Sequence, residues 1–284
     1  MINITPSPMN YMGSKYKLLP LLLEFFPGNI KTFVDLFCGS CVVGLNVNSE
    51  ITVFNDNLVY LIDLYEQFKE LSEKEILKHI EGRISEYKLS LTNKDGYLAM
   101  RKLYNTERNP LDLFVLLCYS FTHQIRFNNA HEFNQSFGLN SSHFNEHQKG
   151  NLLQFLKKLK EKETIFSKFN FDEFNFDALS EDDFVYCDPP YLITAASYND
   201  GKRGFTGWNE NHERKLLGIL DSLNERKIRF ALSNVLKHKD RENVILNEWL
   251  SKRNYKVHRF DKLYCIRRTE KALKPSQEVL ITNY

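Results

Sequence analysis

The stretch Phe184-Val185-Tyr186-Cys187-Asp188-Pro189-Pro190-Tyr191 constrains the fold more than any other part of the chain. Its apolar half, rich in β-branched and aromatic residues, reads as a buried strand. The two prolines that follow Asp188 remove two backbone donors and fix two φ angles, so the strand stops and the turn is stiff. Stiff turns at the carboxyl ends of central strands are where open α/β sheets bind ligands. This one offers a carboxylate (Asp188), carbonyls with no ladder partner at the two prolines and an aromatic face (Tyr191). Those groups suit a planar ring with an exocyclic amine. Asp-Pro-Pro is also an ordinary strand-ending turn, so the rest of the chain must decide.

A chain of 284 residues accommodates one large α/β domain carrying an insertion. Its net charge of +2 excludes a broad polybasic coat but not a local basic patch. No run of about 18 apolar residues occurs, and no basic segment followed by an apolar run opens the chain. The five cysteines lie mostly inside what read as apolar strands (Cys118, Cys187 and Cys265), as expected of reduced core thiols in a cytoplasm. Cys38 and Cys41 have zinc-ligand spacing but lack a second pair, so no metal is expected. The expectation is a soluble, intracellular, metal-independent protein.

Near the amino terminus, Asn10-Tyr11-Met12-Gly13-Ser14-Lys15 precedes helical apolar spacing over 16–26. A Gly-Ser turn opening a helix, with Lys15 beside it, is a weak anion-binding arrangement and equally a plain cap. The next stretch, Thr32 to Gly44, reads as strand, glycine loop and helix, and a second strand at 51–54 ends in Asn55-Asp56. An acid there is placed to accept from ribose hydroxyls. The three-glycine dinucleotide fingerprint is missing, and Asp35 puts negative charge where phosphates would sit. A ligand with an adenosine and a cationic tail fits better, and S-adenosylmethionine is such a ligand. A tight strand-helix turn with a surface acid is the bland alternative.

From 58 to 160 the pattern turns helical, with amphipathic segments at 61–68, 76–89, 96–104 and 111–119. This insertion ends in a hairpin-like segment, 121–142, rich in amides and aromatics and holding Arg126. Asn, Gln and Arg read base edges, and an aromatic can wedge into a base stack. Amide-rich loops are also common as solvated turns. The Lys157-Lys158-Leu159-Lys160 cluster suits either phosphate contacts or a solvated helix face. The sheet resumes at 165–171 and continues with the Asp188 strand. A polar segment at 194–208 reads as a mobile loop over the site. Helices at 212–223 and 241–250 alternate with strands at 229–233, 255–260 and 279–282.

Taken together, these stretches resemble the Dam family of adenine-N6 DNA methyltransferases (class D12, α group), the T-even phage members in particular. Tyr11-Met12-Gly13-Ser14-Lys15 is similar to its amino-terminal motif, Asp35-Leu36-Phe37-Cys38-Gly39 to its cofactor loop and Asp188-Pro189-Pro190-Tyr191 to its catalytic motif. The likeness extends through Asp221-Ser222-Leu223-Asn224 and Leu232-Ser233-Asn234-Val235, over nearly the whole chain. It implies an α/β, Rossmann-like methyltransferase sheet (1–57 and 161–284) with an inserted, mainly helical DNA-recognition domain (58–160) carrying a β-hairpin.

The resemblance further implies that Tyr11, Lys15, Asp35, Phe37, Gly39, Asp56 and Phe171 hold S-adenosylmethionine, with Asp188 beside its methyl end. Asp188 and the Pro189 carbonyl would accept from the target amine, and Tyr191 would stack on a flipped adenine. Toward double-stranded DNA it implies Phe121 as the wedge, Thr122 as its polar neighbour and Arg126 as a guanine reader. Gln124, Asn128, Ser136 and Asn140 complete the DNA-facing set. Gln124 and Ser136 stand where family members that recognise GATC carry an apolar residue and a proline. Asn10 replaces a lysine of the cellular enzymes. GATC or a related short site is therefore the expected target, and a cognate restriction endonuclease is an expected partner. Other readings are an RNA or protein-glutamine methyltransferase, whose relatives usually begin this turn with Asn, and an inactive DNA-binding relative.

Overall fold

Short runs of alternating large apolar residues form strands here because both faces of the sheet are covered. The computed structural model describes residues 4–11, 13–194, 207–260 and 276–284. Met12, Cys265 and most of the expected loop at 194–208 lie outside them. The central parallel strands are β1 (Thr32–Asp35), β2 (Ile51–Asn55), β3 (Glu163–Ser167), β4 (Phe184–Cys187) and β5 (Arg229–His238). The short β6 (Arg241–Glu242) pairs with β5. The late strands β7 (Lys256–Arg259) and β8 (Gln277–Thr282) are antiparallel, and the sheet order is β3-β2-β1-β4-β5-β8-β7.

Order reverses between β1 and β4, which pair in parallel with Asp35 opposite Tyr186. That is the topological switch point, where the crevice of a doubly wound sheet opens at the carboxyl strand ends. Asp35 ends β1, Asp56 follows β2 and Asp188 follows β4, so the fold brings three carboxylates to one edge.

The two faces are built from alternate residues of the same strands. Phe33, Phe184, Ala231 and Leu280 pack against α1 (Leu19–Phe25) and α2 (Val42–Asn46). Val34, Val185, Leu232 and Ile281 pack against α8 (Glu210–Glu225) and α9 (Val244–Ser251).

Between β2 and β3 lie α3 (Val59–Glu70), α4 (Glu73–Glu86), α5 (Lys94–Glu107), α6 (Pro110–Tyr119) and α7 (Glu146–Glu161). Ser72 and Glu75 close a capping box on α4, and Asn145 and Gln148 do so on α7. Every residue of α6 after Pro110 is buried, and α3, α4 and α5 pack around it, while α7 packs on α3. Their core is continuous with Phe54 of β2 and Leu45 of α2.

Several elements differ from the sequence expectation. The 16–26 helix is split into a single 3-10 turn (Lys15–Lys17) and α1, because Pro20 sits at the start of the α-helix. The 121–142 segment forms no regular strands. It is an irregular hairpin held by two bridges, Ser120 to Phe137 and Phe127 to Phe133. The expected helix at 241–250 begins only at Val244, capped by Asn243, because Arg241 and Glu242 pair with β5.

The lysine cluster lies far from the crevice. β3 runs parallel to β2 with Glu163 opposite Ile51, so the end of α7 meets the amino-terminal edge of the sheet. Lys160 donates to the Leu71 carbonyl there.

Candidate active site

A cavity of about 290 Å³ opens at the switch point. Its walls come from the amino-terminal loop, the β1–α2 loop, the end of β2, the turn after β4 and the hairpin. Of the residues expected to hold a cofactor, Tyr11, Lys15, Asp35, Phe37, Gly39 and Asp56 line it. Asp188, Pro189, Tyr191 and Gln124, expected to face the target base and the DNA, line it as well.

Asp35 is buried and accepts the Gly44 amide at 3.0 Å. Glycine is required at 44, since a Cβ would come within 2.5 Å of the Phe54 ring and 3.1 Å of the Asp35 carboxylate. Burial pushes the Asp35 carboxyl up to about 7. The Gly44 hydrogen bond opposes the rise, and the charges of Asp188 and Asp56 add to it. Asp56 accepts from the Gly39 amide at 3.0 Å and from the Leu58 amide at 2.9 Å. Burial raises its pKa as well, and the two amides restrain the rise. Gly39 adopts φ +45°, and a Cβ there would meet the Tyr11 ring at 2.9 Å. The loop thus needs glycine both for its backbone angle and to let Tyr11 lie over it. The Tyr65 hydroxyl fixes the Gly39 carbonyl from behind at 2.8 Å.

The Lys15 ammonium sits 2.7 Å from Asp188 Oδ2 and 3.7 Å from Glu278 Oε1, and 5.1 Å from the centre of the Tyr191 ring. Lys15 is therefore committed to this carboxylate pair, a role the anion-binding reading of the Gly-Ser turn did not foresee. The Tyr191 hydroxyl lies 3.1 Å from Asp188 Oδ1 and 3.0 Å from Glu278 Oε1. Burial, then the charges of Asp188 and Glu278, raise the Tyr191 pKa strongly.

Phe171 does not line the cavity. It stacks on Phe37 at 5.6 Å, and Trp208 meets Phe37 edge-on at 5.7 Å, so both support the cavity wall from behind. Trp208 is in turn held by Glu213 at 2.8 Å. The other Glu213 oxygen takes the buried amides of Asn234 and Asn243 at 3.0 and 2.9 Å.

The hairpin borders the same cavity through Gln124, Ile125 and Phe127. Phe121 is 58% exposed at the start of the hairpin. Thr122 and His123 that follow have φ of 66° and 54°, strained for non-glycine residues. Gln135 holds this turn, donating to the Phe121 carbonyl at 2.6 Å and the Thr122 hydroxyl at 2.8 Å. Arg126, Ser136 and Asn140 are exposed on the hairpin. Asn128 is engaged in its own turn, accepting from Ala130 and Glu132 amides and donating to the Glu132 carboxylate.

Glu278, Gln135 and Glu213 were not singled out from sequence. A lone acid within the apolar run of β8 was the one available signal for Glu278. Among the described residues no group of His, Cys, Asp and Glu could hold a metal ion, and Cys38 and Cys41 are buried and free.

The sequence matches the D12 class N6 adenine-specific DNA methyltransferase family over residues 11–266. The chain belongs to that family. It is 49% identical over 278 residues to the modification methylase StsI of Streptococcus sanguinis, covering 98% of this chain and 43% of that protein. It is 48% identical to the type II methyltransferase M.FokI of Planomicrobium okeanokoites, with the same coverage of both. The DNA adenine methylase of Escherichia coli K12 is 26% identical over 254 residues, 85% of this chain and 82% of that protein. The chain thus spans less than half the length of the two modification methylases. The family resemblance read from the motifs holds, and identity to these modification methylases is far above that to the DNA adenine methylases. No helix among the described residues is long and apolar enough to cross a membrane.

Proposed function

We propose that this chain is a site-specific DNA methyltransferase that transfers a methyl group from S-adenosylmethionine to N6 of an adenine flipped out of duplex DNA. The observation that carries this reading is the Asp188-Pro189-Pro190-Tyr191 turn lining one cavity together with Asp35 and Asp56. Among the described residues that line it, three carboxylates stand against the one Lys15 ammonium, which is already paired with Asp188, and this balance favours a cationic ligand over a phosphate. A cofactor with an ammonium and a sulfonium fits that balance. Asp35 and Asp188 face its positive groups, Asp56 is placed toward a ribose, and Phe37 offers an apolar face. When bound, S-adenosylmethionine supplies an electrophilic methyl group.

The adenine amine is a weak nucleophile because its lone pair is delocalised into the ring. Asp188 and the Pro189 carbonyl would draw its two hydrogens into hydrogen bonds. Those bonds favour a tetrahedral nitrogen and stabilise the charge it gains. The ring of Tyr191 would stack on the base and hold the nitrogen in line. The base must leave the helix to reach them. Recognition is assigned to the 58–160 insertion, with Phe121 entering the stack and Arg126 reading a guanine. The expected target is GATC or a related site in which Gln124 and Ser136 alter the third base. The modification-methylase relatives favour a role beside a cognate restriction endonuclease.

The test is long-read sequencing of DNA from a methylase-free host expressing the chain, scored for modified adenines by context. Modified adenines in one short motif, lost in Asp188→Ala, support the reading. Their absence in the wild type would sink it.

A further inference from the structure

The contacts around Tyr191 contain one proton too few. A tyrosine hydroxyl donates one hydrogen bond. Here it lies 3.1 Å from a carboxylate oxygen of Asp188 and 3.0 Å from one of Glu278. With both acids ionised, one of those contacts is an oxygen facing an oxygen with no hydrogen between them. Lys15 offsets the charge without supplying the missing proton, since its ammonium is on Asp188 Oδ2 at 2.7 Å and only 3.7 Å from Glu278.

Methylation of an amine releases a proton, and it does so at Asp188. We propose that Glu278 is the terminal acceptor of that proton, reached from Asp188 through the Tyr191 hydroxyl. This rests on the methyltransferase reading above. The amine nitrogen forms its bond to the methyl carbon as the carbon–sulfur bond breaks, the electron pair staying on sulfur. The nitrogen, now carrying two hydrogens and a positive charge, gives one proton to Asp188 and recovers its lone pair. The proton on Tyr191 moves to Glu278 while the tyrosine oxygen takes the proton from Asp188. Asp188 and Tyr191 are restored, and Glu278 is left neutral, donating to Tyr191, which donates to Asp188. Every contact in the row then has its hydrogen. Glu278 later returns the proton to solvent, from which its side chain is not sealed, being 17% exposed.

The rest of the site is consistent with this role. Glu278 is delivered by β8, antiparallel beside β5, so it sits on rigid sheet rather than a loop. Burial raises its pKa, the Lys15 charge opposes the rise, and Asp188 adds to it. Among the described residues, the titratable and charged groups acting with it are Lys15, Asp188, Tyr191 and Tyr186. A Glu278 protonated in advance would already fill the vacancy, so the rate falls in acid.

Single-turnover methylation is measured against pH with DNA and cofactor saturating, for wild type, Glu278→Gln and Tyr191→Phe. The amide introduced by Glu278→Gln keeps polar contacts to Tyr191 and Lys15 but takes no proton. The change Tyr191→Phe keeps the ring but removes the bridge. Both variants should be slower by about tenfold or more and lose the acid limb. In the cofactor-free protein, the ¹³C carboxyl resonance absent from Glu278→Gln should titrate above the ordinary glutamate range. It should also move in Tyr191→Phe. Wild-type rate and pH profile in a Glu278→Gln protein that binds cofactor normally would overturn the relay. If Glu278→Gln does not fold, an unaltered acid limb in Tyr191→Phe overturns it alone. A wild type that methylates no DNA removes the underlying reading instead, and the relay with it.

Discussion

Asp35 carries an electrostatic cost, because its carboxyl is buried at the end of β1. An acid whose folded pKa is raised from 3.8 to about 7 stabilises the protein fully only below its unfolded pKa. That contribution is lost as pH rises through 7. At pH 8 the buried carboxylate therefore costs up to about 4 kcal/mol relative to an unshifted group. A cationic cofactor would recover part of this by pairing with the ionised form. Two consequences of opposite sign follow for Asp35→Asn, whose amide oxygen can still accept the Gly44 amide. The cofactor-free variant should melt several degrees higher than wild type at pH 8, by calorimetry. Its cofactor affinity should fall at least about tenfold and lose its pH dependence. In the wild type, affinity should weaken by up to tenfold per pH unit below 7, with proton release on binding. An affinity flat between pH 6 and 8 would show that Asp35 does not face the cofactor's charge.

Among the elements, the hairpin relies least on regular hydrogen bonding. Two isolated bridges hold it, and its exposed Phe121 stands beside two positive-φ residues. Gln135 is what keeps this turn in place, so Gln135→Leu should leave a carbonyl and a hydroxyl without their partner. The DNA KM should rise about tenfold and 2-aminopurine fluorescence at the target should weaken, with cofactor affinity unchanged. An unchanged DNA KM would mean the turn holds itself. This element also shows what sequence reading reaches. The amphipathic periods of α3 to α6 predicted their positions within a few residues, and the Asp188 turn, Asp35 and Asp56 were placed by strand ends alone. The hairpin was not legible as irregular, because side chain–backbone bonds such as Gln135 to Phe121 join residues that no local pattern links. β5 ran past Ser233 for the same reason, since buried Asn234 is satisfied by Glu213 from another element. Glu278 and Lys15, 263 positions apart by their residue numbers, meet only in the folded sheet.

At the scale of the whole molecule, the net charge of +2 says little until the charges are placed. Sheet direction places them. The carboxyl strand ends hold the cavity and, beside it, the hairpin with Arg126. The amino-terminal edge holds the Lys157–Lys158–Lys160 cluster, about the length of a five-residue strand away. A duplex lying over the cavity and the hairpin would contact the first edge and not the second. Neutralising phosphates releases counterions and makes log K fall linearly with log salt, each contact adding to the slope. The double variant Lys157→Gln/Lys158→Gln should therefore keep the wild-type slope and DNA affinity. Arg126→Ala should instead lose about 1–3 kcal/mol of discrimination at one base pair, with the modified motif relaxing there alone. Fluorescence anisotropy across a salt series, paired with sequencing of the modified DNA, reads both. A slope reduced by one or two in the lysine variant would mean that DNA wraps past the amino-terminal edge, and the duplex path over the sheet would have to be redrawn.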